Sequence, residues 1–175
     1  SSEPPLVLLT VAGMLPESWQ VRLVDTNVSD LTDEDIEWSD LVFLSGMDLH
    51  RESFEHLAAR CKRAGATTVG GGPFCTVHHR EIEHIDYFVL NEAELTLPAF
   101  LDDFEAGHAR RMYSSDEYPD IQSTPPPRWE LLDLDAYATM DIQYSRGCPF
   151  DCEFCSVTAL FGHTPRCKTT VQFIS

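Results

Sequence analysis

The sequence has 175 residues, 43% hydrophobic and 23% charged, enough apolar material for a core and room for one ordinary domain plus part of another. Its 29 acidic side chains outnumber 12 basic ones for a net charge of −17, which argues against a nucleic-acid partner, because phosphate binding needs a basic face. No run of about eighteen apolar residues is present, so no transmembrane span is expected. The first residues lack the basic start of a secretory signal, which points to the cytoplasm. Lys62 and Lys168 are the two lysines, against ten arginines. A surface this acidic and lysine-poor suits a high-salt cytoplasm, where screening weakens self-repulsion.

Residues 5 to 15 read as a helix, with Leu8, Val11, Ala12 and Leu15 on one face and Pro16 just past the end. Residues 20 to 25 alternate as a strand does. Residues 41 to 45 form a short apolar run ending at Gly46, the pattern of a buried parallel strand. Residues 51 to 64 return to helical spacing through Phe54, Leu57, Ala58 and Cys61. Thr67-Thr68-Val69 reads as a strand running into a tight loop, Gly70-Gly71-Gly72-Pro73. Tyr87 to Leu90 is a further strand, and residues 94 to 105 are a helix through Leu97, Phe100, Leu101 and Phe104, stopped at Gly107. Strands alternating with helices predict an α/β fold: a doubly wound parallel sheet of Rossmann-like or flavodoxin-like type over residues 1–107. Such folds open on a strand and this chain opens on a helix, so a first strand is expected to be missing.

Residues 108–138 change character. Pro119, Pro125, Pro126 and Pro127 interrupt them, and they read as a connector anchored around Trp129-Glu130-Leu131-Leu132. Residues 139 to 144 then read as a strand that opens a second domain, 139–175. Only 27 residues follow Cys148, whereas a complete (β/α) barrel needs about 250, so this domain reads as the truncated start of one.

Cysteine is concentrated at the start of that domain. Gly147-Cys148-Pro149-Phe150-Asp151-Cys152-Glu153-Phe154-Cys155 has the spacing C-x3-C-x2-C. Three thiolates in one loop can hold three irons of a 4Fe-4S cluster and leave the fourth without a protein ligand. An open metal position is what a catalytic site needs. Gly147 lets backbone approach the cluster, and Phe154 shields it from water. The alternative is a zinc-stabilised binding module using the three cysteines with Cys167 or His163, although zinc sites more often use two separated pairs of ligands.

In an open parallel sheet, ligands bind at the carboxyl ends of the strands. The candidates there are Asp25, Ser45, Gly46, Gly70, Gly71, Gly72, Pro73, Asn91 and Glu92. Glycines after a strand let a large flat cofactor reach the backbone; they also simply make turns. Cys61 and Cys75 read as core residues, His50 as a helix-start residue, His78, His79 and His84 as a solvated loop, and Asp33-Glu34-Asp35 as a solvated acidic face.

The cysteine motif resembles the signature of the radical S-adenosylmethionine (SAM) superfamily. The order of parts resembles its cobalamin-binding branch. Gly71-Gly72-Pro73, Asn91-Glu92-Ala93-Glu94-Leu95-Thr96-Leu97-Pro98, Pro127-Arg128-Trp129-Glu130-Leu131-Leu132, Gln143-Tyr144-Ser145-Arg146-Gly147-Cys148 and Pro165-Arg166-Cys167-Lys168-Thr169 are similar to the subgroup that includes hopanoid C-2 methylases. The resemblance implies that Cys148, Cys152 and Cys155 hold the cluster, that Phe154 and Gly147 lie at SAM, and that cobalamin is the cofactor of the first domain. The implied activity is methyl transfer from methylcobalamin to an unactivated carbon, after cleavage of SAM to a 5′-deoxyadenosyl radical. A small-molecule substrate, in some relatives a lipid, and an electron donor such as flavodoxin or ferredoxin go with it. A radical SAM enzyme of another reaction type, with no cobalamin, is the enzymatic alternative. Three positions depart from the pattern. Asp48-Leu49-His50 begins an Asp-x-His-x-x-Gly motif but lacks the glycine, so no axial histidine for cobalt is expected. Ser156 stands where an acidic residue is expected, and Cys167 where threonine is.

Overall fold

The computed structural model describes residues 3–174, which form two compact units. One runs from Leu31 to Glu117; the other combines the chain up to Asp30 with the chain from Tyr118 onward. In chain order the elements are α1 Leu6–Met14, α2 Asp33–Trp38, β1 Leu41–Ser45, α3 Arg51–Arg63, β2 Thr67–Gly71, α4 Gly72–His78, β3 Tyr87–Val89, α5 Ala93–Glu105, β4 Met112–Tyr113, β5 Ser145–Arg146, α6 Val157–Phe161, β6 Arg166–Cys167 and α7 Thr170–Ile174. Among the described residues no helix is long and apolar enough to cross a membrane.

The unit from Leu31 to Glu117 is built on a parallel sheet, β1-β2-β3-β4. Leu44, Gly70 and Phe88 share one row of the register, and Phe43, Val69 and Tyr87 the row before it. Successive strand residues point to opposite faces, so the sheet has two apolar sides. On one, Leu44, Phe88 and Leu90 meet Phe54 and Ala58 of α3, Phe74 and Cys75 of α4, and Ile82 and Ile85. On the other, Phe100 of α5 lies 6.4 Å from Phe43, 5.4 Å from Tyr87 and 5.5 Å from Tyr113, ring centre to ring centre. Helices therefore cover both faces, as a parallel sheet with apolar residues in both rows requires.

Local chemistry sets the ends of these elements. Thr32 Oγ1 accepts from Asp35 N–H at 3.1 Å and Asp35 Oδ2 accepts from Thr32 N–H at 3.1 Å, a capping box that starts α2. Gly107, at φ +74°, ends α5, with its N–H on Phe104 O at 3.0 Å. At the amino end of β2 the buried Thr68 and the half-buried Asp86 are tied together. Asp86 Oδ2 accepts from Thr68 N–H at 2.9 Å and from its hydroxyl at 3.0 Å, and Thr68 Oγ1 accepts from Asp86 N–H at 3.0 Å.

The other unit is mostly irregular. α1 packs on the proline stretch: Leu9 O accepts from Arg128 N–H at 3.1 Å, and a Cβ on Gly13 would stand 2.6 Å from Pro126 O. Its buried residues are Leu9 and Ala12: Ala12 belongs to the predicted stripe, and Leu9 is buried in place of Leu8. β5 and β6 pair antiparallel, Ser145 with Cys167 and Arg146 with Arg166. The segment 118–124 is laced to the chain beyond Phe161: Gln172 Nε2 donates to Ile121 O at 3.1 Å and Thr124 O at 3.0 Å.

Several expectations need correction. Residues 20–25 are not a strand; no ladder partner stands beside them among the described residues, and the alternation there only half-buries Val21 and Leu23. Residues 139–144 are not a strand either. Met140, Ile142 and Tyr144 are exposed, and pairing begins only at Ser145. Gly70 and Gly71 belong to β2, and Gly72-Pro73 are the first turn of α4 rather than a loop, because proline is well suited to that position. Met112–Tyr113, inside the stretch read as connector, add a fourth parallel strand. Asp33 and Glu34 are solvated as expected, and with Asp35 they also form the first turn of a helix, where acidic side chains favour the dipole. The strands run in sequence order, so the order reversal of a doubly wound sheet is not seen among the described residues. The β5–β6 pair is antiparallel and does not show the start of a parallel barrel.

Candidate functional site

The candidate ligand face of the sheet is the carboxyl end of β1, β2 and β3. Ser45 and Gly71 are in register there, and Gly71 with Val89. Three hydrogen bonds tie α4 to the segments that leave β1 and β3. Gly46 O accepts from Phe74 N–H at 3.3 Å, Thr76 Oγ1 accepts from Asn91 N–H at 2.9 Å, and Asp48 Oδ1 lies 2.6 Å from His78 Nε2. A carboxylate accepts only, so His78 Nε2 carries the proton. Ser45 and Gly71 end β1 and β2, Gly72 and Pro73 open α4, and Gly46, Asn91 and Glu92 follow β1 and β3, so all seven lie at one edge of the sheet in connected segments. Gly72 at φ +80° and Asn91 at φ +62° hold backbone conformations that suit glycine and asparagine. Glu92 is buried at the start of α5. Around the Asp48–His78 pair, its sequence neighbours Met47, Leu49 and Val77 are exposed, Leu49 to 81%. Exposed apolar side chains at the carboxyl edge of a parallel sheet suit a large, flat, partly apolar ligand.

Two predicted residues have other work. Gly70 faces the core, where a Cβ would stand 3.1 Å from Cys75 Sγ and 3.2 Å from both Ile85 Cγ2 and Phe88 Cε1. Its small size is a packing requirement. Asp25 is buried in its own turn: Oδ1 accepts from Asn27 N–H at 3.0 Å and Nδ2 at 2.8 Å, and Oδ2 accepts from the Tyr137 hydroxyl at 3.0 Å. Burial and the Asp25 carboxylate push the Tyr137 hydroxyl up to about 12.

His50 is a helix-start residue, its Nδ1 accepting from Met47 N–H at 3.3 Å. His78 belongs to α4 and not to a loop. Cys61 and Cys75 are buried core residues, and burial pushes the Cys75 thiol up to about 12. Sequence reasoning missed the Asp48–His78 link, because thirty residues separate the partners and neither lies in a recognisable motif.

The cysteine loop lies in the other unit. Gly147, at φ +85°, is packed against Thr164 and Phe161 carbonyl oxygens, and Cys148 N–H donates to Gly162 O at 3.1 Å. Cys155 N–H donates to Cys152 O at 3.0 Å, a tight turn between the last two thiols. All six cysteines are free of disulfides; Cys148 is half-buried and Cys152 and Cys155 are exposed. Phe154 is 95% exposed. The donor chemistry, three unpaired thiols on one turn, suits an iron–sulfur cluster. The side chains are not gathered: among the described residues no group of three or more His, Cys, Asp or Glu is arranged to hold a metal ion. To meet at a single metal group, the exposed thiols would have to turn inward.

Comparison with known proteins bears on the first unit's ligand. The family model of the B12 binding domain matches residues 1–101. An uncharacterised methyltransferase of Synechocystis is 42% identical over 173 residues, 98% of this chain and 32% of that protein. The hopanoid C-2 methylase of Rhodopseudomonas palustris is 34% identical over 98% of this chain and 33% of its own. The bacteriochlorophyllide d C-8(2)-methyltransferase of Chlorobaculum tepidum is 25% identical over 89% of this chain and 37% of its own. The chain thus spans about a third of the length of these relatives. With a family match over more than half of its sequence, and segments joined at the carboxyl edge of a parallel sheet, the chain belongs to the B12-binding domain family.

Proposed function

We propose that this chain is the cobalamin-binding part and the cysteine loop of a radical SAM methyltransferase that acts on an unactivated carbon. The observation that carries the reading is the B12-binding domain match over residues 1–101, joined in one chain to three free cysteines at C-x3-C-x2-C spacing. The methyltransferase names of the relatives support the reaction type.

In this reading Ser45, Gly46, Gly71, Gly72, Pro73, Asn91 and Glu92 contact cobalamin at the carboxyl edge of the sheet, and Met47, Leu49 and Val77 give it an apolar bed. His50 is engaged with Met47 N–H through Nδ1, and Asp48 is engaged with His78. Neither is arranged as the Asp–His relay of an axial cobalt ligand. Cys148, Cys152 and Cys155 hold the 4Fe-4S cluster, with Gly147 and Phe154 beside SAM. When bound, cobalamin supplies a transferable methyl group, and the cluster with SAM supplies the homolytic power to open a C–H bond. The chain's own contribution is to bind, orient and exclude water. The substrate is a small molecule, a lipid being one such class, and the electron donor is a protein such as flavodoxin or ferredoxin.

The test is anaerobic expression with added hydroxocobalamin, iron and sulfide, followed by desalting and metal analysis. Equimolar cobalt together with an iron–sulfur chromophore is the expected result. Iron without cobalt favours a radical SAM enzyme of another reaction type. A colourless protein loaded with zinc refutes the proposal.

A further inference from the structure

Arg166 opens β6, and its guanidinium ties together two separate pieces of backbone. Nη1 donates to Pro119 O at 2.9 Å and Nη2 to Phe161 O at 3.1 Å. The cation stands over the Tyr118 ring, 4.9 Å from its centre. The same ring confines Gly162, where a Cβ would come within 2.8 Å of Tyr118 Cζ. Gly162 O in turn accepts from Cys148 N–H, and Gly147, one residue earlier, is closed in by the Thr164 and Phe161 carbonyls. Both glycines have positive φ, +85° and +76°, so each accepts a side chain neither sterically nor conformationally. A continuous path of contacts therefore leads from Arg166 through Tyr118 and Gly162 to the backbone of the first cysteine. Cys148 is half-buried at the end of this path, whereas Cys152 and Cys155 are exposed.

We propose that Arg166 is a positioning residue for the cysteine loop. With Tyr118 it fixes the 161–164 backbone that seats Cys148, so one corner of the cluster site is set before iron arrives and the two exposed thiols close on to it. This rests on the cluster reading given above. The position requires arginine because a planar fork reaches two carbonyls and still stacks on a ring, which a lysine ammonium does not do.

The experiment compares the parent protein with Arg166→Ala, Arg166→Lys and Tyr118→Leu. Amide exchange is measured at Cys148 in the iron-free protein. Iron retention and the EPR line shape of the reduced cluster follow anaerobic reconstitution. Arg166→Ala and Tyr118→Leu are expected to speed exchange at Cys148 by about tenfold or more, while amides of β2 and β3 stay unchanged. Iron retention falls in both variants, the EPR signal broadens, and Arg166→Lys restores part of both. Unchanged exchange at Cys148 overturns the proposal, as does equal iron retention with an equal EPR signal despite faster exchange. If the parent takes up no iron while exchange still responds to Arg166→Ala, the clasp stands and the cluster reading falls. Should Arg166→Ala fail to fold, Arg166→Lys and the surface change Tyr118→Leu carry the same comparison.

Discussion

Replacing Gly70 by alanine separates a packing role from a ligand role at the centre of the sheet. The new Cβ would meet Cys75 Sγ at 3.1 Å, Ile85 Cγ2 at 3.2 Å and Phe88 Cε1 at 3.2 Å, where ordinary contact begins at 3.4 Å. All three neighbours are at most 5% exposed, so each must retreat by two or three tenths of an ångström into a filled core. Alanine lowers the entropy of the unfolded chain and gains about 0.4–1 kcal/mol by that route. Overpacking at a closed site costs about 1–3 kcal/mol. Gly70→Ala should therefore destabilise the unit by about 1–2 kcal/mol. Cys75→Ala removes the nearest of the three atoms, so the double variant should lose about 1 kcal/mol less than the two single losses added together. Urea unfolding of the cofactor-free protein, followed by circular dichroism, measures all four members of the cycle. A Gly70→Ala protein as stable as the parent, or strict additivity with Cys75→Ala, refutes the packing argument. Unchanged stability with weakened cobalamin binding would return Gly70 to the ligand site.

The thiols should separate into two classes. Cys152, Cys155 and Cys167 are exposed and should react quickly with a disulfide reagent at about pH 8, whereas Cys75, pushed up to about 12, and Cys61, also raised by burial, should react only on unfolding. Peptide mapping of the labelled protein checks this, and rapid native labelling of Cys75 contradicts the core placement. Asp86 should make the fold acid-sensitive. Burial alone raises its pKa, but hydrogen bonds from Lys62 and Thr68 outweigh burial and hold the carboxyl below its ordinary value. The folded pKa is thus the lower one. The stabilisation is complete above the unfolded value of about 3.9 and disappears as pH falls through the folded value. Thr68→Val should cost about 1–3 kcal/mol at neutral pH and flatten this acid dependence; urea midpoints at neutral and acid pH that fall in parallel for both proteins would contradict it.

The parallel elements were legible because their signals are local. The apolar run Leu41–Ser45, the 3.6-residue spacing of Phe54, Ala58 and Cys61, and that of Leu97, Phe100 and Leu101 all appear where periodicity puts them. The strands predicted at 20–25 and 139–144 failed because alternation creates a strand only when a neighbour supplies the ladder. β4 was hidden for the converse reason: two residues carry no pattern, and their strand exists through pairing with β3. The helix at Asp33–Trp38 was missed because its capping box uses aspartate, Asp35, in place of the usual glutamate or glutamine.

The sequence by itself determined the chemistry available to this protein: three thiols at fixed spacing, glycines at the carboxyl ends of strands, and a net charge of −17. Tertiary structure decided which of those residues are free to use it. It turned Gly70 into a core contact, closed Asp25 on to Tyr137, paired Asp48 with His78, and left Cys152 and Cys155 open while seating Cys148. The physical reason is range. Spacing along a chain fixes which groups share a turn, whereas burial and hydrogen-bond partners depend on segments tens of residues away, brought together only by packing.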